Sequence, residues 1–313
     1  MPDWVEQVLR WGLDVVISVQ DVARASGLEE VLDPLFRSIS ALGDVLFFLT
    51  FLPILFWCID KRCAARLALL FLTSVYVNIY IKEWCAIPRP FILSDKVLAK
   101  VDVSGYSFPS GHAQITAAVW PALAILFRRP WVTAIAVPLL ILIPFSRIYL
   151  GVHYPQDAVA GAAIGLALML LHMVAGPRIE RRLTRTRVAS GTIFFVVLTT
   201  IMATLMPTSE GLALSGGLFG LSIGYIVEIA LFDFRPDHRR HTYGLRLAVG
   251  LLLCLAAYLA ILGTSLPAIP LDDDSPWSFA RYALLGFVPT LIVPWAFIRL
   301  RLATSRFPAP KDR

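Results

Sequence analysis

Residues 157–176 read DAVAGAAIGLALMLLHMVAG, an apolar run as long as a helix needs to cross a lipid bilayer. Eight further apolar segments lie at about 38–59, 64–82, 112–127, 131–146, 190–206, 211–232, 244–263 and 279–299. A transmembrane β-barrel would alternate apolar with polar residues, whereas these runs are continuous. The sequence therefore predicts an all-α fold, a polytopic transmembrane helical bundle of about nine spans.

The composition agrees with a membrane protein and excludes several other classes. Of the 313 residues, 58% are hydrophobic and 16% are charged, and the mean hydropathy is +0.72. Soluble domains average roughly 45–50% apolar and 25% charged residues. A soluble globular protein, a disordered chain and a collagen are therefore excluded. The net charge of +6 is not read as a nucleic-acid footprint, and no nucleic-acid partner is predicted.

The Lys and Arg residues predict the orientation of the spans. When the nine segments alternate, most of the 28 Lys and Arg residues fall in one set of loops, at 61–66, 128–129, 178–187, 235–246 and 299–313. The positive-inside rule assigns this set to the cytoplasm. The outer side then holds the N-terminus and the loops 83–111, 147–156, 207–210 and 264–278, the last with the acidic run Asp272–Asp274.

The N-terminal residues predict an amphipathic helix. Apolar residues from Trp4 to Ile17 recur at helical spacing, and charged residues such as Glu6 and Arg10 take the opposite face. This helix either lies on the membrane surface or caps the bundle as a soluble element. The predicted organisation is an N-terminal interfacial segment on the outer side, a core, and a C-terminal extension of about four transmembrane helices, with bounds 1–37, 38–177 and 178–313.

Small residues predict close contacts between helices. Gly161 and Gly165 form a G-x-x-x-G pattern, and Gly216, Gly220 and Gly224 repeat the same spacing. Small residues at this spacing let two helix backbones approach closely.

Three stretches in the predicted outer loops carry groups that handle phosphate. They read KEWCAIPRP at 82–90, PSGH at 109–112 and SRIYLGVHYPQD at 146–157. The charge argument made no use of these stretches and still places all of them on one membrane face. A single site built from the three is therefore expected.

Phosphoryl transfer needs positive charge around the phosphoryl oxygens, a nucleophile and an acid for the leaving group. Lys82, Arg89 and Arg147 can supply the charge. Ser110 and Gly111 stand where the third apolar segment begins, so their backbone N–H groups can point at an anion.

Two histidines complete the set of reactive groups. Asp157 follows His153 by four residues, and a carboxylate on one ring nitrogen makes the other a better nucleophile. His112 is the second histidine. Taken singly, each of these residues has a plain structural explanation, as a headgroup anchor, a surface histidine or a helix cap. The combination favours a phosphoryl-transfer site.

The three stretches resemble the signature of the type 2 phosphatidic acid phosphatase superfamily. That signature reads Lys-x6-Arg-Pro, Pro-Ser-Gly-His and Ser-Arg-x5-His-x3-Asp, and the chain meets every fixed position within residues 82–157. The arrangement of spans is similar to that of glucose-6-phosphatase and the sphingosine-1-phosphate phosphatases.

The resemblance implies a role for each motif residue. His153 would be the nucleophile that forms a phosphohistidine, Asp157 would orient it, and His112 would protonate the leaving alcohol. The phosphoryl oxygens would be held by Lys82, Arg89, Ser110, Gly111 and Arg147. The resemblance implies no metal and no cofactor, and the outer loops near the motifs hold no carboxylate cluster suited to Mg²⁺.

The function implied is that of a multi-pass membrane phosphatase acting on a lipid phosphate monoester or pyrophosphate. Its partners would be the lipid substrate and the bilayer, in a bacterial inner membrane with the site facing the exterior. Phosphatase action on a soluble sugar phosphate and transfer of the phosphoryl group to an alcohol remain open. A transporter using Glu228 and Asn78 is the alternative from another class, although both residues are more simply hydrogen-bonded between helices. The oligomeric state is left open.

Overall fold

The computed structural model describes residues 3–185, 188–236, 242–262 and 276–306, which are almost entirely helical. The helices are α1 (Asp3–Ala25), α2 (Glu29–Ala41), α3 (Val45–Cys58), α4 (Lys61–Cys85), α5 (Pro90–Leu93), α6 (Gly111–Phe127), α7 (Pro130–Tyr149), α8 (Pro155–Arg185), α9 (Val188–Leu205), α10 (Ser209–Leu231), α11 (Tyr243–Leu262), α12 (Pro276–Phe287) and α13 (Val293–Arg299). A π-helical turn, Val288–Ile292, joins the last two. Two short strands, β1 (Phe234–Arg235) and β2 (Thr304–Ser305), pair antiparallel.

The all-α fold predicted from the apolar runs is confirmed. Within the described ranges, seven helical stretches are long and apolar enough to cross a membrane: Lys61–Leu93, Pro130–Tyr149, Pro155–Gly176, Val188–Leu205, Ser209–Leu231, Tyr243–Ile261 and Pro276–Arg299. Seven of the nine predicted segments correspond to these stretches, and the other two, at 38–59 and 112–127, do not form a simple span. The acidic run Asp272–Asp274 lies outside the described residues.

Those two segments differ from the others for separate reasons. The segment predicted at 38–59 is broken, because α2 and α3 meet at a bend of 49°. The segment predicted at 112–127 is the 17-residue helix α6, which is apolar but shorter than a full span. By length and composition, seven spans are present, or eight if the bent pair is one.

The chain divides into two compact units. The first comprises Met1–Leu49 and Thr73–Val174, and the second comprises Thr50–Leu72 and Ala175–Arg313. All three motif stretches belong to the first unit. The second unit contains the helices from α9 onward.

In the first unit, α1 packs against protein with one face. Its buried residues, Leu9, Gly12, Val16, Gln20 and Ala23, recur every three or four positions. The Gln20 side chain donates to the carbonyl of Leu98 at 2.8 Å and to that of Tyr149 at 3.1 Å. These contacts attach α1 to the loop before α6 and to the end of α7.

Glycines provide close helix contacts in both units, as their spacing predicts. In the first unit, a Cβ atom at Gly161 would overlap the carbonyl oxygen of Ser110, which precedes α6, and one at Gly165 would overlap that of Gln114 on α6. In the second unit, a Cβ atom at Gly216 or Gly220 would overlap carbonyl oxygens of α12. The helix pairs α6–α8 and α10–α12 are therefore in backbone contact.

Glu228 in the second unit is held by an ion cluster. Both of its carboxylate oxygens accept hydrogen bonds from the Lys61 ammonium, at 3.0 and 2.9 Å, and Lys61 also donates to Asp233 at 2.8 Å. Lys61 and Glu228 are buried, and a buried charge needs such partners. Hydrogen bonding between helices thus accounts for Glu228.

Two glycines on α10 allow a matched test of this packing. Gly220→Ala should lower the thermal unfolding midpoint of the purified protein, because forcing a methyl group into a closed contact costs about 1–3 kcal/mol. Gly217→Ala places its Cβ where nothing lies within 4 Å. It should therefore leave the midpoint unchanged or raise it, since Ala favours helix by roughly 0.5–1 kcal/mol over Gly. Equal midpoints for the two variants would contradict the packing described.

Candidate active site

The three motif stretches meet at one end of four helices in the first unit. The cations and histidines of the motifs lie at the end of α4, before α5, at the start of α6, at the end of α7 and in the turn before α8: Lys82, Arg89, His112, Arg147 and His153. Backbone and side-chain hydrogen bonds tie the stretches together. The N–H of Ser110 donates to the Asp157 carbonyl at 3.0 Å, and Arg89 donates to the Val152 carbonyl at 2.9 Å.

His153 and Asp157 form the buried centre of the site. The histidine Nδ1 lies 3.3 Å from Asp157 Oδ2, with the i, i+4 spacing that the sequence predicted. Asp157 Oδ2 also accepts from the N–H of Tyr154 at 3.0 Å and from the hydroxyl of Ser107. With Nδ1 directed at the carboxylate, the hydrogen-bond pattern assigns the free lone pair to Nε2.

Charged residues of all three motifs lie close enough to His153 to affect its pKa. Burial lowers the pKa of His153 well below that of an ordinary histidine, and the positive charges of Lys82, Arg147 and Arg89 lower it further. His112 adds a smaller effect of the same sign. The imidazole of His153 is therefore neutral at neutral pH.

Lys82 and Arg89 hold the loop that precedes α6. The Lys82 ammonium donates to the carbonyls of Tyr106 and Ser107, at 2.6 and 3.1 Å. The Arg89 guanidinium donates to those of Ser104 and Gly105, at 2.8 and 2.9 Å, besides Val152. An ammonium has three N–H donors and a guanidinium has five, so both cations have further donors for an anion.

Seven buried side-chain atoms lack a hydrogen-bond partner within the described part of the chain, and three of them belong to predicted site residues. These three are Arg147 Nε, Ser110 Oγ and Asp157 Oδ1. Ser110 is the N-cap residue of α6, but its side chain makes no capping bond. Unsatisfied buried polar groups are rare in folded proteins. Arg147 Nε and the Ser110 hydroxyl can both donate to a phosphoryl oxygen, whereas Asp157 Oδ1 is an acceptor and cannot.

Gly111 begins α6 in a position with little room for a side chain. A Cβ there would lie 3.0 Å from Asn78 Oδ1. The Asn78 amide donates to the Pro109 carbonyl at 3.2 Å and to the Gln114 side chain at 2.9 Å. Asn78 thus joins α4 to α6 as a hydrogen-bonded residue, as the simpler of its two interpretations predicts.

Three side chains from outside the motifs contact motif residues in the structure. Ser107 donates to Asp157, Ser40 accepts from Arg147 Nη1 at 2.7 Å, and Asp44 Oδ2 lies 3.4 Å from His112 Nε2. Ser107 stands close to PSGH in the sequence and could have been suspected from that proximity. Ser40 and Asp44 precede the first motif by about forty residues, and no spacing pattern links them to it.

Helices α1 and α2 fix the loop between α5 and α6. Lys100 in this loop donates to Glu29 and Asp33 of α2, each at 2.8 Å. Burial alone would lower the pKa of Lys100, but its hydrogen bonds with Asp33 and Glu29 raise it above the ordinary value. The loop is therefore anchored by a charged lysine. Among the described residues, no group of three or more His, Cys, Asp or Glu side chains could hold a metal ion.

Comparison with known proteins identifies related chains. The chain is 26% identical to lipid phosphate phosphatase delta of Arabidopsis thaliana, over 66% of this chain and 52% of that protein. It is 32% identical to sphingosine-1-phosphate phosphatase 2 of Mus musculus, over 47% of this chain and 45% of that protein. It thus spans about half the length of these curated relatives. The crystal structure of Aquifex aeolicus LpxE is similar at a TM-score of 0.46 and 26% identity, covering 51% of this chain and 93% of that one.

Two family models match the chain in succession. The first, the PAP2 superfamily, covers residues 64–181 and therefore all three motif stretches. The second, the transmembrane extension of PAP2 superfamily phosphatases, covers residues 212–305. With both parts present in order, the chain belongs to the PAP2 superfamily.

Proposed function

We propose that this protein is a membrane phosphatase that hydrolyses a lipid phosphate monoester through a phosphohistidine on His153. The observation that carries the proposal is the contact of His153 Nδ1 with the buried carboxylate of Asp157, at 3.3 Å. Lys82, Arg89 and Arg147 act electrostatically on the same imidazole. A neutral nucleophile surrounded by fixed positive charge suits attack on a phosphate dianion.

The first half of the reaction transfers the phosphoryl group to the protein. His153 Nε2 attacks phosphorus, and the bond between phosphorus and the alcohol oxygen breaks. His112 gives a proton to that departing oxygen. Asp157 stabilises the positive charge that His153 acquires, while Lys82, Arg89, Arg147 and the N–H groups at the start of α6 hold the phosphoryl oxygens.

The second half releases phosphate and restores the site. A water molecule attacks phosphorus from the position that the alcohol left, and the bond from phosphorus to Nε2 breaks. His112, now neutral, takes a proton from this water and returns to its starting state. No step in this scheme requires a metal ion, so metal independence is part of the proposal.

A lipid is the proposed substrate class because of where the site lies on the helices. The motif residues stand at the ends of apolar helices α4, α6, α7 and α8. A lipid could enter from the side, with its chain in hydrocarbon and its phosphate on the cations. Two relatives are named for lipid phosphate and sphingosine-1-phosphate, which favours this class over soluble sugar phosphates.

The proposed location is a bacterial inner membrane with the site facing the exterior. The concentration of Lys and Arg in the opposite loops supports this orientation. The loop 94–110 and the turn before α8 would then contact the external solution. The N-terminal helices would lie on the same side.

The test is a phosphate-release panel with purified protein in detergent and EDTA. It compares sphingoid-base phosphate, phosphatidate, phosphatidylglycerol phosphate, polyprenyl pyrophosphate and glucose-6-phosphate. We expect release from at least one lipid substrate, because the proposed chemistry needs only the side chains of the site. His153→Ala should lower this turnover by at least on the order of a thousandfold, since it removes the nucleophile.

The matched control is His172→Ala, which changes a histidine of α8 outside the motifs and should keep its activity. Persistent turnover by the His153 variant would overturn the nucleophile assignment. A strict Mg²⁺ requirement would contradict metal independence, and release from glucose-6-phosphate alone would indicate the sugar phosphatase. Transfer to an added alcohol in place of water would indicate a phosphotransferase.

Ser107→Ala tests the donor that the motifs do not contain. A hydrogen bond to a charged group contributes about 1.5–3 kcal/mol, so losing the bond to Asp157 should lower kcat roughly tenfold to a hundredfold. KM should change little, because the Ser107 hydroxyl donates to Asp157 and not to one of the proposed phosphate-binding groups. Ser104→Ala, an exposed position in the same loop, is the control. Equal kcat values for both variants would show that Ser107 has no positioning role.

Cysteine labelling tests the proposed orientation. In a Cys85→Ser background, which removes the native thiol of the same predicted outer loop, a membrane-impermeant maleimide should label Asp102→Cys in intact cells, because Asp102 is exposed. Arg129→Cys, which is exposed in a predicted cytoplasmic loop, should react only after the cells are opened. The opposite pattern would reverse the orientation and leave the proposed chemistry intact.

A further inference from the structure

Tertiary contacts fix the position of Asp44 beside His112, the second histidine of the site. Asp44 lies in the break between α2 and α3. The indole N–H of Trp120 donates to the carbonyl of Leu42 at 3.3 Å, and a Cβ at Gly43 would come within 2.7 Å of the Ile143 side chain. Contacts to α6 and α7 therefore fix the backbone that carries Asp44.

The two carboxylate oxygens of Asp44 have different partners. Oδ1 accepts a hydrogen bond from the N–H of Leu46 at 2.8 Å and so caps the start of α3. Oδ2 lies 3.4 Å from Nε2 of His112. Capping explains the first oxygen only, since a capping residue needs one acceptor.

Asp44 is a negatively charged group that favours the protonated form of His112 against the neighbouring positive charges. Burial lowers the pKa of His112 to about 4, and the charges of Arg147 and Arg89 act in the same direction. The hydrogen bond and the charge of Asp44 oppose this shift. In the proposed reaction, His112 must carry a proton to the leaving oxygen, so its protonated form has to be favoured by a neighbouring group. A cation beside two guanidinium groups needs a nearby negative charge.

The two histidines of the site differ in how far their side chains are exposed to solvent. The His153 side chain is 3% exposed, whereas that of His112 is 21% exposed and that of Asp44 is 41% exposed. The leaving alcohol of a lipid must exit toward the open side. Asp44 and His112 are the more exposed pair and therefore suit that side, whereas His153 and Asp157 are closed off from solvent.

We infer that Asp44 is a positioning residue that holds the imidazolium of His112 for protonation of the leaving alcohol. The inference rests on the proposed function. In the step it serves, the phosphorus–oxygen bond of the substrate breaks, the phosphorus–nitrogen bond to His153 forms, and the proton of His112 moves to the departing oxygen. Asp44 itself neither gains nor loses a proton.

This role makes the effect of Asp44 depend on the leaving group. An alkoxide is a poor leaving group and needs the proton from His112, whereas a nitrophenolate departs without one. The value of kcat/KM depends on the steps up to and including release of the alcohol. The later hydrolysis of the phosphohistidine therefore does not affect it. A purely structural defect would lower kcat/KM for both substrates alike.

The experiment compares dodecyl phosphate with para-nitrophenyl phosphate for the purified full-length protein. Asp44→Asn retains an acceptor for the Leu46 N–H and removes the charge. It should lower kcat/KM for dodecyl phosphate by roughly tenfold to a hundredfold and that for para-nitrophenyl phosphate by less than about threefold. Asp60→Asn is the matched control, because Asp60 caps α4 through the N–H groups of Arg62 and Cys63.

Equal losses on the two substrates, or no loss on either, would overturn the inference for Asp44. Asp44→Ser, which also keeps a capping oxygen, gives the same comparison if the Asn variant does not fold. Asp44→Glu should restore part of the activity toward dodecyl phosphate. Failure of the wild-type protein to hydrolyse either substrate would instead count against the proposed function.

Discussion

The buried carboxylate of Asp157 is the group on which the geometry of the site depends. A buried carboxylate is costly unless donors and positive charge surround it. Ser107, the Tyr154 N–H and His153 supply hydrogen bonds to its Oδ2, and its backbone carbonyl accepts from Ser110 at the start of α6. One residue thus joins the loop before α6, the start of α6 and the turn before α8. The position of His153, the proposed nucleophile, and that of the proposed phosphate site both depend on it.

The helices and the motif cluster were predictable because each depends on local sequence. Apolar runs specify helices without knowledge of their partners, and the four-residue spacing of His153 and Asp157 places both side chains on one face of a helical turn. The charge distribution alone predicted that the three stretches lie on one face of the membrane. Close packing at Gly161 and Gly165 also followed from spacing alone.

The break between α2 and α3 and the role of Asp44 were not predictable, because both depend on distant contacts. Leu42 and Gly43 do not interrupt the hydropathy of the segment 38–59, and the bend is fixed by Trp120 and Ile143, about eighty to a hundred residues away. Ser40 binds Arg147 across a similar distance. Single-sequence patterns carry no information on such pairs, so the residues that support the motifs were missed while the motifs themselves were found.

The two carboxylates of the site suggest how one pocket can assign opposite tasks to two histidines. Environments that separate the proton affinities of similar groups define acid and base roles in many enzymes. Asp157 is fully buried, is saturated with donors on one oxygen and faces a histidine kept neutral by burial and neighbouring cations. Asp44 is partly open to solvent and faces a histidine at the exit of the site. In the proposed mechanism, the closed pair carries out nucleophilic attack and the open pair delivers a proton to the leaving group.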